Sequence, residues 1–125
     1  MPLRTKKTWF GVVLDSSDGV ALAHFYADLL GWQVFSEGNG GAAVAPSEDA
    51  GYNLAFETEQ HYRRPVWPTV EGEPQMQMHL DIEVDDLAAA TDHALELGAT
   101  LAEFQPQDDV RVLLDPAGHP FCLYD

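Results

Sequence analysis

The stretch His79-Leu80-Asp81-Ile82-Glu83-Val84-Asp85-Asp86-Leu87 decides the fold. In its first six residues, ionisable and apolar side chains alternate with a period of two, which predicts a strand over 76–84 with one buried face and one ionisable face. Asp85 and Asp86 then bring helix N-cap chemistry, and Leu87, Ala90, Ala94 and Leu97 recur near helical spacing until Gly98 closes the run. A strand therefore passes directly into an amphipathic helix.

Toward the C-terminus, 99–104, 110–114 and 121–124 read as three more strands, with Asp115-Pro116-Ala117-Gly118 as a turn before the last. Toward the N-terminus, 8–14 is apolar and β-branched enough for a buried strand, and Asp15 to Asp18 cap a helix through Val20, Leu22, Phe25, Leu29 and Leu30. Gly31 is placed to end that helix in the left-handed conformation. Strands are expected at 32–35, 42–45 and 52–58, separated by the glycines at 38, 40 and 41 and by the loop 46–51. Pro65, Pro68, Gly72 and Pro74 break any regular pattern between the halves. The organisation is one α+β domain over 1–125: a βαβββ module at about 8–59, a linker at 60–75, and a second βαβββ module at about 76–125.

Leu30-Gly31 and Leu97-Gly98 coincide when one half is slid by about 67 positions, so the halves read as diverged copies. That shift lays Val12 on His79 and Asp18 on Asp85, with Glu57 near Cys122. Each module can bury the apolar face of its sheet beneath its own helix, which leaves two curved polar faces to form a cup with each other or with a partner chain.

Twenty-one acidic residues against six basic ones give a formal net charge of -15. Such a charge repels nucleic acid and anionic membrane surfaces and favours a cationic or neutral ligand, although solubility alone also explains it. The 46% hydrophobic content places the chain among folded globular proteins. Cys122 is the single cysteine, so no intrachain disulfide forms and a reducing, cytoplasmic setting is expected. Arg4, Lys6 and Lys7 precede an apolar run, 9–14, too short for a signal-peptide core or a membrane span.

Three strings carry a resemblance across nearly the whole chain: residues 25–32 (FYADLLGW), 79–87 (HLDIEVDDL) and 115–123 (DPAGHPFCL). The chain resembles the vicinal oxygen chelate superfamily, which includes glyoxalase I, extradiol dioxygenases and bleomycin-resistance proteins, and within it the small glyoxalase-like domain proteins. The resemblance implies paired βαβββ modules, small-molecule binding, a homodimer, and a divalent metal held by two residues of each module. Those positions map to Val12, Glu57, His79 and Cys122. Val12 has no donor atom, so the implied metal set is His79, Glu57 and Cys122, and the implied catalytic pair is Glu57 and His79.

The remaining candidates come from the residues themselves. Asp81 and Glu83 share the ionisable face with His79, where burial would raise carboxylate pKa values so that Glu57 or Glu83 could act as a general base; a solvated strand face explains the same alternation. Arg111 on a second-module strand is a candidate carboxylate clamp or a structural ion pair. Tyr62, Arg63, Arg64 and Trp67 in the linker could rim the mouth, or simply connect the halves. Val12, Trp67 and Tyr124 complete the expected ligand-binding set. Cys122 reads equally as a small buried hydrophobe, and His24, His93 and His119 are assigned no role. Two functions follow from the resemblance: a metal-dependent lyase or isomerase, or a metal-free sequestering protein of the bleomycin-resistance type.

Overall fold

The computed structural model describes residues 2–5 and 8–125, so Lys6 and Lys7 lie outside the described residues. Two units, Met1–Tyr62 and Arg63–Asp125, each carry a four-stranded sheet and one helix of an α+β fold.

In the first unit, β1 (Phe10–Ser16) leads to α1 (Gly19–Leu30), followed by β2 (Gln33–Gly38), β3 (Gly41–Ala45) and β4 (Tyr52–Thr58). Asp18 caps α1 by accepting from the Ala21 N–H, and Gly31 ends it at φ 69°, where a side chain would be strained. The sheet runs β1-β4-β3-β2, with β1 and β4 parallel and the other pairs antiparallel. The helix buries Leu22, Ala23, Phe25, Tyr26 and Ala27. Tyr26 stacks on Phe56 of β4 with ring centroids 5.5 Å apart. That contact identifies the face carrying Phe56 as the one under the helix. Burying residues of this size contributes roughly 1.5–3 kcal/mol each, which makes this face the stabilising one.

The second unit repeats the order: β5 (Leu80–Glu83), α2 (Leu87–Glu96), β6 (Thr100–Leu101), β7 (Val110–Leu114) and β8 (Pro120–Tyr124), with the sheet running β5-β8-β7-β6. Asp86 caps α2 by accepting from the Ala89 N–H. Gly98 takes φ 113° one residue beyond the cap, Leu97. Leu113, Phe121 and Leu123 are buried on the inner face of this sheet.

Two strands are shorter than their sequence suggests. The run expected over 76–84 pairs only from Leu80, opposite Phe121. One step earlier, His79 would need to pair beside Pro120, which has no N–H to give, so the parallel ladder begins after it. The run expected over 99–104 forms a ladder only at Thr100 and Leu101, followed by a single bond from the Ala102 N–H to the Val112 carbonyl. Beyond them the Gln105 side chain replaces a strand: its amide nitrogen donates to the Ala102 and Val112 carbonyls while its oxygen accepts from the Val112 N–H.

The duplication is real in topology but not at one fixed shift. The N-caps Asp18 and Asp86 lie 68 positions apart and the glycines Gly31 and Gly98 lie 67 apart, so one residue is lost within the second helix. Before the helices the modules therefore match at 68, which sets Gly11 against His79 and Val13 against Asp81. Strand registers then pair Ala55 with Cys122 and Glu57 with Tyr124, because Val13 lies beside Ala55 and Asp15 beside Glu57, as Asp81 lies beside Cys122 and Glu83 beside Tyr124. A one-residue slip moves a strand residue to the other face. Val12, matched to His79 by the 67-residue shift, is in fact half-buried beside Leu54, on the helix side of its sheet.

Candidate functional site

The face of the second sheet turned away from α2 carries the chemistry. Period-two alternation puts Asp81 on that face, and the parallel register sets it directly beside Cys122, which in turn faces Val112 across the antiparallel β7–β8 pair. Tyr124 follows two residues later beside Val110. Together with Trp67, Met76, His79, Pro106, Gln107 and Pro120, these side chains line a cavity of about 320 Å³. Trp67 is held there against Phe104, with ring centroids 5.9 Å apart.

A tight turn fixes the strand that carries Cys122. Asp115 is buried, and its Oδ1 accepts from the Ala117 and His119 N–H groups at 2.9 and 3.0 Å. The Gly118 N–H closes the turn on the Asp115 carbonyl at 2.8 Å, with Gly118 at φ 91°. The guanidinium of Arg64, one of the linker candidates, lies against Gly118 and donates to the Pro116 carbonyl at 2.7 Å. Arg64 therefore supports the turn.

On the cavity wall, His79 Nε2 lies 3.2 Å from Asp81 Oδ1, and donor atoms of His79, Asp81 and Cys122 all fall within 4.8 Å of one another. The His79 and Asp81 side chains are 41% and 60% exposed, so the group opens to solvent on one side while Cys122 is half-buried beneath it. Burial pushes the Cys122 thiol above its ordinary pKa, and the charge and hydrogen bond of Asp81 push it further in the same direction. In this state Cys122 is a protonated thiol, with the Asp81 carboxylate as its polar partner.

The other sequence candidates fall elsewhere. Glu83 is exposed at the end of β5 beside Tyr124 and does not line the cavity. Arg111, expected as a clamp inside the cup, pairs with Leu123 on the opposite face of the sheet, because it alternates with the cavity residues Val110 and Val112. Its guanidinium instead binds the Asp108 and Val110 carbonyls at 2.9 and 3.0 Å. Within the first unit, Glu57 lines a shallow hollow over Ala43, Ala55 and Thr58. The i, i+2 spacing of His79 and Asp81 is visible in the sequence, but the lateral pairing of Asp81 with Cys122 depends on β-register.

The ligand pattern implied by the resemblance, two donors from each module, does not fit this chain. At the first-unit positions equivalent to His79 and Cys122 stand Gly11 and Ala55, neither with a donor atom. A side chain at the Gly11 position would also have to displace Asn53, whose Oδ1 lies 2.3 Å from where a Cβ would be.

Residues 11–124 match the family of glyoxalase-like domains, and the chain belongs to that family. It is thereby a member of the vicinal oxygen chelate superfamily. Among solved structures it is similar to a glyoxalase/bleomycin resistance protein/dioxygenase family enzyme from Burkholderia phytofirmans, at 19% identity and TM-score 0.64 over 90% of this chain and 94% of that one. A possible glyoxalase from Bacillus cereus aligns at 12% identity and TM-score 0.65, covering 99% and 100% of the two chains. Lactoylglutathione lyase from Agrobacterium tumefaciens aligns at 15% identity and TM-score 0.59, covering 98% and 93%. No curated protein matches the chain significantly. Among the described residues, no helix is long and apolar enough to cross a membrane.

Proposed function

We propose that the chain is a small-molecule-binding glyoxalase-like protein whose ligand sits on the open face of the second sheet. The observation that carries this reading is the cavity over β5, β7 and β8, where apolar walls from Trp67, Met76, Val110, Val112 and Pro120 surround a small set of convergent polar groups. That combination is what small-molecule sites have in common. Trp67 and Tyr124 offer flat faces to a ligand's carbon skeleton. His79 and Asp81 stand at the wall as a hydrogen-bonding pair able to anchor a polar group or move a proton beside a carbonyl. The acidic character of the chain steers cationic compounds toward it.

Sequestration of a bound compound and proton transfer to it, as in a lyase or isomerase, share this cavity; they differ in whether the ligand emerges changed. Backbone amide resonances followed during addition of small carbonyl compounds and cationic natural products test the reading. Shifts should concentrate at 79–82, 110–112 and 121–124 and weaken in Trp67→Ala. Shifts confined to the hollow around Ala43, Ala55 and Glu57 would place the site elsewhere.

A further inference from the structure

The second unit alone brings three chemically different donors to one point. His79 directly precedes β5 and Asp81 lies within it; both side chains line the cavity wall, and Cys122 is the lateral neighbour of Asp81 on β8. Their donor atoms lie within 4.8 Å of one another, and His79 Nε2 and Asp81 Oδ1 are already 3.2 Å apart. In a tetrahedral zinc site, bonds of about 2.0–2.1 Å to nitrogen and oxygen and about 2.3 Å to sulfur put neighbouring donors about 3.3–3.6 Å apart. The His79–Asp81 separation is close to that value. Small rotations of side chains that are open to solvent bring in the third donor.

We infer that His79, Asp81 and Cys122 form a binding site for one thiophilic divalent cation of the zinc type, built entirely from the second module. This deepens the cavity reading above and rests on it, because the site opens into the same cavity. It departs from the two-donors-per-module pattern by replacing the missing first-module donors with Asp81. The sulfur donor selects zinc-like ions over magnesium or manganese, whose preferred ligands are all oxygen. Three protein ligands leave a fourth position facing the cavity, where water or a ligand oxygen can bind. On binding, a sulfur–metal bond forms as the Cys122 S–H bond breaks; the proton passes to solvent, and no electrons change hands. The Asp81 carboxylate exchanges its contact with the thiol hydrogen for one with the ion.

Cobalt(II) is a spectroscopic stand-in for zinc and reports thiolate ligation directly. Metal-free, reduced full-length protein titrated with cobalt(II) should bind one ion per chain, with a thiolate-to-cobalt charge-transfer band and intense tetrahedral d–d bands, and zinc should abolish both. Cys122→Ser should remove the charge-transfer band. His79→Ala and Asp81→Asn should each weaken zinc binding by about tenfold or more, and Glu57→Gln should leave it unchanged. Circular dichroism verifies that each variant is folded, and Cys122→Ser changes a single atom, so loss of the band there is not loss of the fold. Absence of the charge-transfer band in the unsubstituted protein, its persistence in Cys122→Ser, or loss of binding in Glu57→Gln overturns the inference. If no charge-transfer band forms and small molecules still shift the cavity's backbone resonances in metal-free protein, the cavity reading stands while the metal site fails. Loss of both would remove the two together.

Discussion

Asp81 and Cys122 are lateral neighbours on adjacent parallel strands; burial holds the thiol above its ordinary pKa, and the Asp81 carboxylate raises it further. Alkylation requires the thiolate, so a raised pKa means slow reaction at neutral pH and a rate that climbs only under alkaline conditions. Asp81→Asn removes the charge and leaves the burial. The midpoint of the Cys122 pH–rate profile for iodoacetamide should move down in that variant, with faster reaction at any pH below the original midpoint. A profile that stays in place, or moves up, would show that Asp81 does not govern the thiol.

Asp115 ties the β7–β8 turn together through two backbone N–H groups. Asp115→Ala leaves both without their buried acceptor, at a cost of about 1–3 kcal/mol, and loosens the strand that carries Cys122. Urea unfolding should show that loss, and hydrogen exchange should accelerate at 117–123 more than in the first module. Equal stability in the two proteins would contradict the role given to the turn.

Gly11 and Asn53 pair across β1 and β4, with Asn53 Oδ1 occupying the space a Cβ at residue 11 would need. Gly11→Ala should therefore destabilise the protein in its natural background. In an Asn53→Ala background the same change should stabilise it by about 0.5–1 kcal/mol, as expected for removing a strand glycine. A thermal-melt double-mutant cycle reads this reversal of sign, and additive effects would mean that the two positions do not collide.

Much of the fold was legible in the sequence because its signals are local. Strand alternation at 79–84, the caps Asp18 and Asp86, the αL Gly31 and the Asp115–Gly118 turn each act within a few residues, and they gave the element order of both modules. What escaped was register. One residue lost between Asp86 and Gly98 shifts the correspondence of the preceding strands, so Val12 fell on His79 although the fold sets Gly11 there. Arg111 alternates with the cavity residues Val110 and Val112, and only the strand pairing shows which face each of them takes. The Asp81–Cys122 neighbourhood depends on a parallel pairing across some forty residues, for which the sequence carries no short-range signal. The shortening of β5 and β6 has two separate origins: Pro120 lacks an amide hydrogen, and the Gln105 side chain takes the Val112 N–H and shares its carbonyl with Ala102.

X-ray absorption at the zinc edge, on protein loaded with one equivalent of zinc and washed free of excess, tests the central claim most directly. A second-module His79–Asp81–Cys122 site predicts one sulfur neighbour at about 2.3 Å together with nitrogen and oxygen neighbours at about 2.0–2.1 Å. A shell of nitrogen and oxygen alone, or zinc that washes away, would contradict it.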